Sequence, residues 1–239
     1  VSAVQNSLLV DIGNTALKYA LVRHSSDDLN VRKLEGDIEW LQNIGPWQQM
    51  LVANVGNSAR LEALTALCQT LKRPIKIIHT ESEHFGIRCG YEQFEYLGVD
   101  RWLAVLAARA ITEKAVAVID VGTAATCDIV VENRHLGGWI MPGFKLMRES
   151  LTRNTAKVFA DEHYPNHLAF GEKTSDCVNY GCLAALQGMV LKAEQDLQRL
   201  SPDYQIILGG GGQYVLNDLQ GEHYLRFDNL VLLGLKRFV

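Results

Sequence analysis

Apolar residues in this chain fall in short runs broken by polar turns that carry glycine. Leu8-Leu9-Val10 is an apolar strand, Asp11-Ile12-Gly13-Asn14-Thr15 a polar turn, and Leu17 to Val22 alternates as a returning strand, so the pattern predicts a hairpin. Met50 to Val55 predicts a buried strand, Ser58 to about Leu71 a helix, and Ile75 to Ile78 a further strand, in β-α-β order. The apolar spacing after Asp100 predicts a helix to about Glu113.

The second half then starts as the first did. Ala115 to Ile119 reads as a strand, Asp120-Val121-Gly122-Thr123-Ala124-Ala125-Thr126 as the polar turn, and Cys127 to Val131 as the return. Helices are predicted near Lys145 to Leu151 and from Cys177 to Leu200, with a long irregular stretch, Asn154 to Thr174, between them. A strand over Gln205 to Leu208 runs into four glycines, Gly209 to Gly212, then a helical stretch from Gln213 to about Leu219 and a short last helix within Leu230 to Val239. The repeated unit and the absence of a low-complexity linker predict two similar α/β lobes in close contact, residues 1–114 and 115–239.

Composition narrows the function. With 48% hydrophobic and 21% charged residues in 239, the chain can bury a sizeable core, and 23 basic against 27 acidic residues give −4, which lacks the surplus that binding a nucleic-acid backbone needs. Five cysteines with no C-x-x-C pair predict neither a disulfide framework nor a cysteine zinc site, and point to a reduced, cytoplasmic setting. The start VSAVQNSLLV lacks the features of a signal peptide, and no apolar run approaches the roughly 20 residues that span a bilayer. No membrane association is expected.

The chemistry lies in the turns. In a strand, Asp-x-Gly, strand unit the glycine lets the backbone approach a ligand, successive N–H groups and a threonine hydroxyl donate to phosphate oxygens, and the aspartate can hold a hydrated cation. Each turn alone is also ordinary hairpin chemistry. Two copies heading two halves, with a glycine run after a late strand, predict a nucleotide held between the lobes. No G-x-x-x-x-G-K-[ST] occurs, so a P-loop is excluded. Asp100 fits two roles, helix N-cap or catalytic base, and Arg101 fits a two-pronged grip on a carboxylate or a simple ion pair. Trp102, Leu103 and Leu106 read as core, Cys177 and Cys182 as packed thiols, His163 and His167 as surface residues, and Asp27-Asp28 and Lys72-Arg73 as solvated turns.

These residues, in order, resemble the type III pantothenate kinases, small members of the acetate and sugar kinase, Hsp70 and actin superfamily. The resemblance rests on the Asp11 to Thr15 turn with Lys18, Tyr91 ahead of Gly98-Val99-Asp100-Arg101-Trp102, the Asp120 to Thr126 turn, Gly137-Gly138-Trp139-Ile140-Met141-Pro142-Gly143, and Thr174. It implies an actin-like, ribonuclease H-like ATPase fold with a nucleotide cleft. It implies that Asp11, Ile12, Gly13, Asn14, Thr15, Ala16, Leu17 and Lys18 bind ATP, with Mg²⁺ at Asp11, and that Thr123 also contacts ATP. Asp120 would help hold a monovalent cation, K⁺ or NH₄⁺. Tyr91, Gly98, Val99, Asp100, Arg101 and Thr174 would contact pantothenate, Asp100 as proton acceptor, in a homodimer with the pocket at its interface. Phe94 stands where the family commonly has proline, which changes the pocket lip and leaves the catalytic letters intact. A non-catalytic ATP-dependent regulator of the same fold and a kinase for another small alcohol are the alternatives. Retention of Asp100 and Arg101 argues against the regulator, and the compact length argues against a sugar kinase.

Overall fold

The computed structural model describes residues 6–24, 28–56, 58–154, 164–165 and 167–239. The chain forms two compact units, one of Val1–Phe85, Tyr91–Ala107 and Asn229–Val239, the other of Gly86–Gly90 and Ala108–Asp228. The C-terminal segment therefore folds with the first unit.

In the first unit, β1 (Asn6–Ile12), β2 (Leu17–Arg23) and β3 (Val31–Lys33) form an antiparallel meander. β4 (Gln49–Asn54) adds parallel to β1, α1 (Ser58–Leu71) follows, and β5 (Ile75–Ile77) adds parallel to β4, giving the order β3-β2-β1-β4-β5. Alternation along β1 turns Leu8, Val10 and Ile12 toward Leu64, Leu67 and Cys68 of α1, so Asp11 shares the opposite face with buried Leu9. The chain then passes through two short strands, β6 (Glu83–His84) and, in the second unit, β7 (Ile87–Arg88), before α2 (Val99–Ile111). Trp102, Leu103 and Leu106 are fully buried, as their stripe predicts.

The second unit repeats the plan. β8 (Ala115–Val121), β9 (Ala124–Val131) and β10 (Arg134–Pro142) form an antiparallel meander. α3 (Phe144–Asn154) and the 27-residue α4 (Thr174–Leu200) lead to β11 (Tyr204–Gly209), parallel to β8, and β12 (Tyr224–Arg226), parallel to β11. Five strands of the seven-stranded sheet, in the order β10-β9-β8-β11-β12, have the connectivity of β3-β2-β1-β4-β5, and β7 adds parallel to β10. Ala117, Ile119 and Val121 of β8 pack with Leu183, Leu186 and Val190 of α4, which leaves Asp120, like Asp11, on the other face of its strand. In the first unit, the last helix, α5 (Leu230–Lys236), lies so close to α2 that a Cβ at Gly234 would sit 2.2 Å from the Leu103 carbonyl oxygen.

Several local expectations need correction. β10 was not foreseen, because Gly137 and Gly138 interrupt its alternation, and the pairing register shifts between His135 and Gly137. The stretch after the glycine run is a single 3-10 turn, Gln213–Leu216. Cys177 is exposed, unlike buried Cys182. Arg73 is not simply solvated, since its guanidinium lies 4.3 Å over the Trp47 ring. Much of the irregular stretch between α3 and α4, with His163, lies outside the described residues, as does Asp27.

Candidate active site

Each Asp-x-Gly turn stands at the carboxyl end of the first strand of its unit's meander. In the first, Asp11 pairs in register with Lys18 on β2 and Ala53 on β4. The turn closes through the Gly13 N–H, which donates to the Ala16 carbonyl at 3.1 Å, and Asn14 and Thr15 are exposed at its tip. Lys18 is half-buried and its ammonium reaches Asn229 Oδ1 at 3.4 Å.

In the second, Asp120 pairs with Thr126 on β9 and Gly209 on β11. The Gly122 N–H donates to the Ala124 carbonyl at 2.9 Å, and Thr123 is exposed. The correspondence extends past the strands, since the Val55 N–H donates to the Ile12 carbonyl at 3.3 Å and the Gly212 N–H to the Val121 carbonyl at 2.8 Å. Gly210 is required there, with φ of +83° and space so tight that a Cβ would sit 2.4 Å from the Val121 carbonyl oxygen. Gly143 braces the same turn: its N–H donates to the Thr123 carbonyl at 2.9 Å, and a Cβ would fall 2.1 Å from the Gly122 carbonyl oxygen. α3 starts from that contact. Its Arg148 is buried, with its guanidinium 5.1 Å over the Tyr164 ring, and burial raises the Cys182 thiol pKa against the opposing charge of Arg148.

Tyr91, Asp100 and Arg101 gather at the start of α2, within the first unit. The helix begins at Val99, so Asp100 sits in its first turn and is not the N-cap. Its Oδ1 accepts the Arg101 backbone N–H at 2.8 Å. Arg101 is only 6% exposed, and its Nη1 donates to the Tyr91 hydroxyl at 2.8 Å. Tyr91, Asp100 and Arg101 are thus one connected group.

Beside them is a cavity of about 550 Å³ lined by Asn54, Val55, His79, Thr80 and the run Phe94 to Val99. Its floor is fixed where the Thr80 hydroxyl donates to the Leu97 carbonyl at 2.7 Å. Its near end adjoins the first turn, because Asn54 pairs with Ile12 and a Cβ on Gly56 would strike the Asn14 side chain. Phe94 stands in its wall, in a 3-10 turn, where a proline would leave a smaller lip. Asn54, Val55, His79 and Thr80 were not anticipated. The signal was Asn54-Val55-Gly56 after β4, the counterpart of the glycine run after β11.

Thr174 belongs to the second unit, as the first residue of α4. There it lines a mainly apolar groove of about 520 Å³ with Met147, Ser150, Leu151, Cys177 and Val178. Among the described residues no group of three or more His, Cys, Asp or Glu side chains could hold a metal, and no helix is long and apolar enough to cross a membrane.

Comparison with known proteins bears on the fold and the family. Among solved structures, a Campylobacter jejuni protein assigned to the Baf family of transcriptional activators aligns over 96% of each chain with a TM-score of 0.60 at 22% identity. An inorganic polyphosphate/ATP-glucomannokinase from Arthrobacter aligns over 98% of each chain with a TM-score of 0.50 at 12% identity. At these identities the likeness shows the fold alone, the two-lobed one of actin-like and sugar-kinase proteins. Sequence is more specific: the type III pantothenate kinase of Pseudoalteromonas atlantica is 43% identical over 100% of this chain and 99% of its own length, and that of Colwellia psychrerythraea 33% identical over 97% and 99%. Since the family model described as type III pantothenate kinase also matches residues 7–195, the chain belongs to the type III pantothenate kinase family.

Proposed function

We propose that this enzyme transfers the γ-phosphoryl group of ATP to the primary hydroxyl of pantothenate, giving 4′-phosphopantothenate, the first step toward coenzyme A. The observation that carries the proposal is the first-unit cavity, which adjoins the Asp11 turn at Asn54 and ends at Gly98 and Val99, beside Asp100. Phosphoryl transfer passes through a loose transition state, so the protein mainly positions the alcohol and offsets charge. In this reading the Asp11 to Lys18 turn cradles the phosphates, Thr123 adds a donor, and Asp100 receives the hydroxyl proton late in the transfer. A carboxylate of ordinary basicity suffices for that, and the short bond from the Arg101 N–H holds it in one orientation.

The half-buried Asp11 carboxylate and the nearby Thr15 hydroxyl are hard oxygen donors that fit Mg²⁺, which commonly takes one or two carboxylates together with substrate phosphates. Asp120 offers a carboxylate for K⁺ or NH₄⁺. A bound Mg²⁺ would neutralise phosphate charge, and a monovalent cation would do so more weakly.

Thr174 would serve the pantothenate site of a second copy, with the groove between α3 and α4 as the pairing face. Leu151→Glu there should turn a dimer into a monomer by light scattering and depress turnover at low protein concentration. The enzyme is placed in the cytoplasm, with its substrates. An ADP-release assay with pantothenate, Mg²⁺ and K⁺ tests the main reading, and ATP binding without pantothenate-dependent turnover would refute it.

A further inference from the structure

Lys18 stands among charges at the first turn, and no motif marked the residue that holds its ammonium. We infer that Asn229, which opens the segment carrying α5, is a positioning residue that keeps the Lys18 ammonium aimed at the ATP phosphates without neutralising it. The inference rests on the reading of the Asp11 to Lys18 turn as the phosphate site.

Both residues belong to the first unit, 211 positions apart along the chain. Lys18 on β2 stands in register with Asp11 on β1 and with Lys33 on β3, one opposite charge and one like charge. Directly opposed like charges repel, and a lysine drawn fully onto Asp11 would occupy the carboxylate that Mg²⁺ needs. Asn229 supplies a partner of a different kind, since its Oδ1 accepts from the ammonium at 3.4 Å. An amide oxygen carries no net charge. It therefore takes one of the three ammonium donors and leaves the other two, with the whole positive charge, for phosphate oxygens. A long side chain held this way also loses less rotamer freedom when ATP binds.

The backbone at Asn229 points the same way. It is the N-cap of α5, with φ of −146° and ψ of 59°, a place where asparagine ordinarily turns its side-chain oxygen onto the first helical N–H groups. No such cap bond forms here. The Asn229 carbonyl starts the helix by accepting the Leu233 N–H at 3.0 Å, while the side chain goes to Lys18. The mount is firm: Leu230, Leu232 and Leu235 are buried, and α5 packs against β1, β2 and β4. Gly234 lies against the Leu103 carbonyl of α2, and Arg237 Nη1 donates to the Leu106 carbonyl. A side chain on such an element can hold a flexible lysine in one direction.

The test measures ATP affinity by isothermal titration with Mg²⁺, KM for pantothenate, and a thermal melt, in Asn229→Ala and Asn229→Asp. Losing one hydrogen bond at a partly exposed site should weaken ATP binding about three- to tenfold in Asn229→Ala, with KM for pantothenate within about twofold of wild type. Asn229→Asp separates the roles, because aspartate caps a helix as well as asparagine does and a capping role alone would leave ATP affinity unchanged. A carboxylate there would instead neutralise Lys18 and repel the phosphates, so ATP affinity should fall by about tenfold or more. Wild-type ATP affinity in either variant would overturn the assignment, as would an equal loss for ATP and pantothenate together with a lower melt. Lys18→Gln is the separate control, since unchanged ATP affinity in it would sink the reading of the turn itself.

Discussion

Asp100→Asn separates the proposed catalytic role of Asp100 from its structural one. Asparagine keeps an oxygen that can accept the Arg101 N–H now held at 2.8 Å, so that bond survives. What the fold loses is a negative charge in the first turn of α2, worth about 0.3–1 kcal/mol to the helix dipole. For a chain of this size that lowers Tm by roughly 1–4 °C. The helix itself stays mounted, because Trp102, Leu103 and Leu106 are fully buried on its core face. The reaction loses its proton acceptor, and a positioned base contributes about 10²–10⁴-fold. The expected outcome is kcat down by about 100-fold or more, with ATP affinity and the melt nearly intact. A coupled ADP-release assay beside thermal melts reads both. Turnover within about threefold of wild type would refute the base assignment and leave Asp100 as a helix-terminal charge.

Three further substitutions test the frame around the site. Tyr91→Phe removes the acceptor of the Arg101 Nη1 bond; with Arg101 buried, the loss should be about 1.5–3 kcal/mol, read as KM for pantothenate raised by tenfold or more. Gly143→Ala puts a methyl group 2.1 Å from a backbone oxygen of the second turn, so KM for ATP should rise and Tm fall by several degrees, whereas an unchanged Tm would mean the turn can yield. Burial first, and then its hydrogen bond to Glu194, raise the Tyr224 pKa well above the ordinary tyrosine value of about 10. The folded state then holds that proton more tightly than the unfolded chain, so its stabilisation is complete below about pH 10 and is lost as pH rises beyond it. Melts from pH 8 to 11 should fall more steeply for wild type than for Tyr224→Phe.

How far the sequence could be read depended on what each segment had to bury. β1 and β8 are covered on both faces, so Leu8-Leu9-Val10 and Ala115 to Ile119 stand out as apolar runs. α1 was placed to the residue because Leu64, Leu67 and Cys68 share one buried face. β10 escaped because six of its nine residues are exposed, Trp139 and Ile140 among them, and its glycines weaken any period. At the site, Asp100 and Arg101 were visible as charges at a helix start, and Tyr91 as part of a spaced motif. Their connection through the Arg101 bond to Tyr91 was not, since it depends on a rotamer. Asn54 and His79, which line the cavity, were hidden for another reason, being ordinary residues brought together at the ends of neighbouring parallel strands, and strand order is not local.

The duplicated topology also separates the two turns by charge. Asp11 pairs in register with Lys18, whose ammonium reaches Asn229 Oδ1 at 3.4 Å, so in the proposed reading this turn combines a carboxylate for Mg²⁺ with a cation for the phosphate oxygens. Asp120 faces Thr126, which is neutral, and its negative charge favours a cation. Thr126→Lys should therefore convert the second turn toward the character of the first. Side chains paired in register lie about 5 Å apart, where an ammonium would repel a cation by about 3 kcal/mol at an effective dielectric of about 20. Solvent around a half-buried position cuts this, and a tenfold rise in the K⁺ concentration for half-maximal activity is the expected effect. Thr126→Val, which adds no charge, should leave that concentration within about twofold, and melts should show both variants folded. Equal K⁺ dependence in Thr126→Lys and wild type would refute the assignment of the monovalent cation to Asp120, while leaving the Asp11 turn and the Asp100 base untouched.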